Sequence, residues 1–211
     1  METENTLESI QKALDLGVDA IEFDVWTTKD GVPAVHHDES LLRITGDAKL
    51  IPHMTWDELK KIRTRDGKVI PTAKEAIELI GSKPFLFEIK DRHLTNGVLE
   101  LLKMFKDKEF MVTSFEWPAL LELKQAMPNL RLYTATVNSP FRTIIFAHKH
   151  KLHGVNLKYY WLNPFTYLLA KHYGLKIKLY TVNSRLYVKL LRALKLKVDF
   201  TTDFPDRFVK R

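Results

Sequence analysis

The 211-residue sequence has no cysteine, only two glutamines and just eight glycines. The missing cysteine excludes a disulfide scaffold, a thiol nucleophile and any zinc or iron–sulfur centre built on thiolates. No uninterrupted apolar run approaches the roughly 18 residues of a membrane span. The first ten residues, METENTLESI, are polar and acidic and unlike a signal peptide. These absences lead us to expect one cytoplasmic domain spanning residues 1–211, with no transmembrane segment. The glycines are scattered, with no G-x-G-x-x-G and no G-x-x-x-x-G-K. A nucleotide-binding first turn is therefore excluded.

Lys and Arg number 33 against 26 Asp and Glu, a formal net charge of +7. A basic excess attracts nucleic acid, anionic lipid or phosphate-bearing substrates. Here the lysines are spread along the whole chain, and dispersed lysine reads as solvated surface. Few Gln, no Cys and abundant Lys and Glu also match a heat-adapted composition. Nucleic acid is accordingly not an expected partner.

No linker or low-complexity segment interrupts the chain, which alternates short β-rich runs with longer helical ones. A helix is predicted over Glu4–Leu16, with Leu7, Ile10, Ala13 and Leu14 at helical spacing, Thr3 as its N-cap and Gly17 as its stop. A strand over Ala20–Val25 follows. Asp30-Gly31 then turns it into a hairpin with Val32–His36. After a less regular stretch, Asp38–Pro71, with one short helix near Trp56–Ile62, the alternation becomes regular. Barrel-type strands fall near residues 21, 86, 111, 132, 155, 178 and 199, each separated by a helix. Such alternation implies parallel strands with right-handed crossovers. The fold class is α/β, and an eight-stranded (β/α) barrel, the TIM barrel, is favoured over a doubly wound sheet. A helix leads the count, so the first barrel strand is expected to be missing and the barrel to have an open edge.

In such a barrel the chemistry sits at the C-terminal ends of the strands. Glu22 and Asp24 are two apart on a strand and share one face, with Phe23 on the other. Two like charges so placed repel unless a cation lies between them. Glu88 and Lys90 repeat the spacing with one acid and one base. Oxygen ligands from adjacent strands suit Mg²⁺ or Ca²⁺, and the lysine adds a point charge for phosphate. The alternative is a buried ion pair between Lys90 and Glu22 or Asp24. His36-His37-Asp38 closes the hairpin, and alternation allows only one of the two histidines to face the carboxylates, where it suits general acid–base work. Asn5 either presents its amide to a ligand or simply caps the helix. Asn183 either serves the site or caps the next helix, and Tyr159-Tyr160-Trp161 reads as local packing or a lipid-facing wall.

The segments Glu4-Asn5-Thr6-Leu7, Glu22-Phe23-Asp24-Val25, Thr28-Lys29-Asp30-Gly31, His37-Asp38, Arg43-Ile44-Thr45, Ile70-Pro71-Thr72, Glu88-Ile89-Lys90, Thr181-Val182-Asn183 and Thr202-Asp203-Phe204-Pro205-Asp206 cover essentially the whole chain. In this order and spacing they resemble the glycerophosphodiester phosphodiesterase family. The resemblance implies a (β/α) barrel with a small insertion after the second strand, residues 38–71 here. It implies metal-dependent hydrolysis of glycerophosphodiesters to glycerol 3-phosphate and an alcohol. By the same carry-over Glu22, Asp24 and Glu88 hold the metal, Mg²⁺ or Ca²⁺. His37 and Lys90 are catalytic, and Asn5, Lys90 and Tyr180 bind substrate. Tyr180 stands where the family generally has Trp.

The family's His-Arg-Gly segment, with a second catalytic histidine and a phosphate-binding arginine, has no counterpart in the sequence. Its absence coincides with the missing strand. A truncated start is the preferred explanation; a non-catalytic relative and a strand supplied by another chain, through oligomerisation at the open edge, are the others. Loss of one acid–base group lowers rates by about 10²–10⁴-fold. A catalytically silent phosphate- or lipid-headgroup-binding barrel, or a lysophospholipase D with Tyr159–Trp161 lining an acyl groove, are the competing readings.

Overall fold

The computed structural model describes residues 2–209. Eight strands form one sheet in the order β2-β1-β3-β4-β5-β6-β7-β8, every neighbour pair parallel except β1 with β2. Strand β1 spans Ile21–Thr27 and β2 Pro33–Val35; β3 is Phe85–Ile89, β4 Phe110–Ser114, β5 Arg131–Thr136, β6 Gly154–Lys158, β7 Lys176–Tyr180 and β8 Asp199–Phe200. The seven expected parallel strands are all present, curled as in a barrel. Among the described residues no strand closes the sheet between β1 and β8.

Helix α1 covers Leu7–Asp15, shorter than expected at its start. Asn5 takes a left-handed φ of +56°, which a helix cannot contain, and Asn tolerates it better than most residues. Thr6, not Thr3, is the N-cap, accepting from the Ser9 amide while Ser9 Oγ accepts from the Thr6 amide, 3.2 Å each. At the hairpin, Gly31 has the φ of +87° that the Asp30-Gly31 pair anticipated.

The stretch expected to hold one short helix contains α2 (Leu42–Thr45), a 3₁₀ turn (Ile51–His53) and α3 (Trp56–Leu59). Leu41, Ile51, Met54, Leu59 and Ile70 close a small apolar cluster with Ala34 of β2. The remaining helices alternate with strands: α4 (Ala73–Ile80), α5 (Asn96–Met104), α6 (Trp117–Ala126), α7 (Pro140–Lys149), α8 (Pro164–His172) and α9 (Arg185–Ala193).

The main core lies between the outer face of the sheet and these helices. Phe23, Phe85, Phe87 and Phe110 stack across β1, β3 and β4 with ring centroids 5.1–5.8 Å apart. They pack against Ala73, Ala76, Ile77 and Ile80 of α4. Each fully buried Phe contributes on the order of 2–3 kcal/mol. Alternation therefore turns the other residues inward, and there the layer is polar: Thr113, Asn156 and Lys178 are all buried. Asn156 and Lys178 are register partners. Room for Tyr133 beside them is made by Gly154, where a Cβ would fall 2.6 Å from that ring and 2.3 Å from the Lys176 carbonyl oxygen.

Candidate active site

The parallel register of β1 and β3 places Asp24 opposite Glu88 and Glu22 opposite Leu86. Glu22, Asp24 and Glu88 thus offer carboxylate oxygens that all lie within 4.8 Å of one another, a group able to hold a metal ion. Asp24 and Glu88 are buried and Glu22 is partly so. The Lys90 amide donates to the Val25 carbonyl at 3.0 Å, which carries the pairing one residue beyond β3. Its ammonium bonds Glu88 and lies 2.9 Å from Asp24 Oδ1. Of the ion pairs anticipated for Lys90, Asp24 is one and Glu22 is not; Glu88 takes that place.

The electrostatics of the cluster follow from three acids around one base. Desolvation, then the charges of Asp24 and Glu88, push Glu22 well above the usual carboxylate range. Burial and the Asp24 charge raise Glu88 to about 7, against the opposing pull of Lys90. Burial works against the Lys90 charge, but Glu88 and Asp24 outweigh it and raise its pKa. Three carboxylates whose ionised forms are disfavoured by burial and by one another are a fitting host for a dication, which would favour those forms.

Asn5 reaches this cluster by an unforeseen route. Its left-handed backbone turns the amide onto β1, where Nδ2 donates to Asp24 Oδ2 at 2.9 Å and Oδ1 accepts from the Asp24 amide at 3.3 Å. It neither caps the helix nor points away from the carboxylates; it fixes one of them.

The two histidines divide as alternation required. His36 is buried, with Nδ1 on the Asp38 carbonyl at 2.7 Å. His37 is half exposed, with Nδ1 2.7 Å from Asp38 Oδ1, and a positive charge on it would bear on Glu88. Arg43 bonds Asp38 Oδ2 and Glu4 Oε1, 2.5 Å each. Burial opposes the Asp38 charge, yet hydrogen bonds from Arg43 and His37 hold its pKa at about 2. An ionised Asp38 can only accept, so Nδ1 of His37 carries the proton and Nε2 is left for other work. The spacing of Arg43-Ile44-Thr45 carries no sign of a charge partner, and only the fold brings Arg43 to Glu4 and Asp38.

Tyr180 faces the same side as Lys178, but its hydroxyl donates to the Thr136 carbonyl at 2.7 Å. Its ring meets Phe115 edge-on at 5.7 Å, and Lys90 lies 5.8 Å over Phe115. Burial and then Glu88 raise the Tyr180 pKa, so it stays a neutral wall. Asn183 does not cap α9, which Ser184 does. It donates to Asp203 Oδ2 at 2.8 Å and accepts from the Thr202 hydroxyl at 3.0 Å. The Thr-Val-Asn and Thr-Asp segments are therefore parts of one knot, and the Asp203 charge reaches Glu22 from the other side of the gap.

A (β/α)-type fold with three desolvated carboxylates and a lysine on one face of adjacent parallel strands offers a group that could hold a divalent cation. Comparison with known proteins makes the class specific. The sequence profile of the glycerophosphoryl diester phosphodiesterase family matches residues 2–207. A glycerophosphodiester phosphodiesterase of Caldanaerobacter subterraneus is 31% identical, covering 98% of this chain and 90% of that one. One from Bacillus altitudinis is 30% identical over 98% and 91%. Among solved structures, a phosphodiesterase of Oleispira antarctica in complex with the product sn-glycerol-3-phosphate superposes with a TM-score of 0.86. It is 25% identical and covers 97% of this chain and 89% of that one. This chain belongs to the glycerophosphoryl diester phosphodiesterase family.

Proposed function

We propose that the chain hydrolyses glycerophosphodiesters to glycerol 3-phosphate and an alcohol, using Mg²⁺ or Ca²⁺ held by Glu22, Asp24 and Glu88. The observation that carries this reading is the three-carboxylate cluster with Lys90 in its midst, on one face of adjacent parallel strands in a chain of this family. When bound, the dication supplies polarisation of the phosphoryl oxygens and offsets charge in the transition state.

The chain's own groups do the rest. Lys90 sets a fixed positive charge beside the phosphoryl group. His37, oriented through Nδ1 by Asp38, exchanges a proton with the reacting oxygen at Nε2. Asn5 serves the substrate side by holding Asp24, and the Tyr180–Phe115 pair forms a wall next to Lys90. Residues 38–71 form the family's insertion and supply the Arg43 that holds Asp38. Among the described residues no second histidine takes the part of the His-Arg-Gly segment, and a site working with His37 alone would turn over about 10²–10⁴-fold below a complete acid–base pair.

The test is release of glycerol 3-phosphate from glycerophosphocholine, with and without chelator. Metal-dependent release that His37→Ala abolishes supports the proposal. Metal binding by the folded chain with no release above background refutes it and leaves the silent phosphate- or headgroup-binding barrel, the reading favoured by the unmatched His-Arg-Gly. Faster release from a lysolipid than from glycerophosphocholine would make the chain a lysophospholipase D.

A further inference from the structure

The lysines run evenly through the sequence, but the acids do not. From Asn138 to Arg211 there are 15 Lys and Arg against three Asp, whereas the first 137 residues carry 18 against 23 Asp and Glu. That last third builds α7, β6, α8, β7, α9 and β8. Where its strands hand over to helices, apolar side chains stand in solvent: Val137 after β5 (44% exposed), Phe141 in α7 (47%), Tyr160 after β6 (54%), Phe165 in α8 (76%) and Leu186 in α9 (77%). Successive strand ends in a barrel lie side by side on the mouth rim. A single exposed Leu is ordinary, but five large apolar residues from consecutive loops of one rim are not.

The ridge they form is built and not loose. Trp161 Nε1 donates to the Val137 carbonyl at 2.7 Å, and the Tyr187 hydroxyl donates to the Tyr159 carbonyl at 2.8 Å. The Tyr159 ring meets Tyr187 at 5.4 Å and Tyr160 at 5.6 Å. Arg142, Arg185 and Lys189 flank it, all exposed.

We propose that this rim is a peripheral docking surface for an anionic phospholipid bilayer. Its apolar ridge enters the headgroup region, the surrounding cations hold the surface charge, and the active-site mouth faces the lipid. Apolar burial and electrostatic attraction to anionic lipid together give the affinity that neither gives alone. Nucleic acid would engage the cations but gains nothing from Phe165 and Leu186 in solvent. A second copy of the same rim would meet its own positive charge.

The full chain is sedimented with vesicles of phosphatidylcholine alone and with about one third phosphatidylglycerol, at ~0.1 M salt. Sedimentation with the anionic vesicles only is expected. It should fall about tenfold or more in Phe165→Glu/Leu186→Glu and in Arg142→Glu/Lys189→Glu, with melting temperatures unchanged. Equal sedimentation with both vesicle types, none with either, or no change in the two variants overturns the proposal. So does light scattering that finds a dimer split by the apolar variant, or duplex DNA bound more tightly than vesicles. The readout is binding without turnover, so its failure is distinct from failure of the proposed hydrolysis.

Discussion

Glu22→Gln separates the metal-binding reading from a purely structural one because it acts oppositely on the two states. With oxygens within 4.8 Å of two other carboxylates, an ionised Glu22 would meet a repulsion of about 3 kcal/mol from each at an effective dielectric near 20. No hydrogen bond or ion pair of its own relieves this among the described residues. Burial and these two charges therefore raise the Glu22 pKa and disfavour its ionised form in the folded chain when no cation is present. A neutral Gln then resembles the favoured form, and the metal-free melting temperature should move by less than about 2 °C.

Metal binding is another matter, since it needs the charge that Gln lacks. A loss near the size of one such pair interaction, ~2.7 kcal/mol, weakens binding about 100-fold. With ion at ~100 times the wild-type Kd, the wild type gains ~2.7 kcal/mol, about 5–10 °C for a chain of this length. The variant, then at about its own Kd, gains ~0.4 kcal/mol, near 1 °C. Differential scanning fluorimetry across a Mg²⁺ or Ca²⁺ titration reads both numbers. An equal metal-induced shift in variant and wild type refutes the ligand assignment, and a large metal-free drop refutes the raised Glu22 pKa.

Three further outcomes are expected from the packing and charge of the same fold. The Glu88 pKa of about 7 lies above the ordinary value of 4.5, so the folded chain binds that proton more tightly than the unfolded one. In chelator, stability should therefore fall as pH rises from about 4.5 to 7, by on the order of 3 kcal/mol, and level off above. Guanidinium titrations at several pH values check this, and Glu88→Gln should flatten the slope. Phe87→Ala removes a fully buried ring that meets Phe23 edge-on and should cost about 3–5 kcal/mol, read as a lower denaturation midpoint at unchanged m. Gly154→Ala drives a methyl into the Lys176 carbonyl and the Tyr133 ring and should cost about 2–3 kcal/mol, although Ala is ordinarily the better-tolerated residue. A thermal melt equal to wild type would show that β5, β6 and β7 can part without penalty.

The strands were legible because each pairs a period-2 pattern with turn residues, and because Phe23, Phe85 and Phe87 leave no choice about which face packs on helices. The same parity put Glu22, Asp24, Glu88 and Lys90 on one face, and parallel register did the rest. What escaped were contacts that depend on backbone excursions or on distant partners. Asn5 reads as the start of a helix until its left-handed φ is known. The short helices at 42–45 and 51–53 are too brief to carry a periodicity, and their order comes from the small cluster around Leu41 and Ile51. Buried Lys178 was open to detection, since Lys176, Lys178 and Tyr180 alternate with Ile177 and Leu179. Dispersed lysine elsewhere in the chain made it look like surface.

The site divides into two parts whose dependence on the sheet differs. The carboxylates and Lys90 are set by β1 and β3, adjacent strands paired along five residues, with Asn5 bracing Asp24 from outside. Nothing in that set requires β8 or a closed sheet. The opposite side is built differently: β8 is two residues long, and Asn183, Thr202 and Asp203 hold one another by side-chain hydrogen bonds. The two parts meet electrostatically at Glu22, which feels Asp203 across the gap in addition to its own neighbours. The placement of the three carboxylates and Lys90 should therefore be robust to perturbation of β7 and β8. The ionisation of Glu22 should not be, because whatever charge or solvent lies between β1 and β8 enters its balance directly.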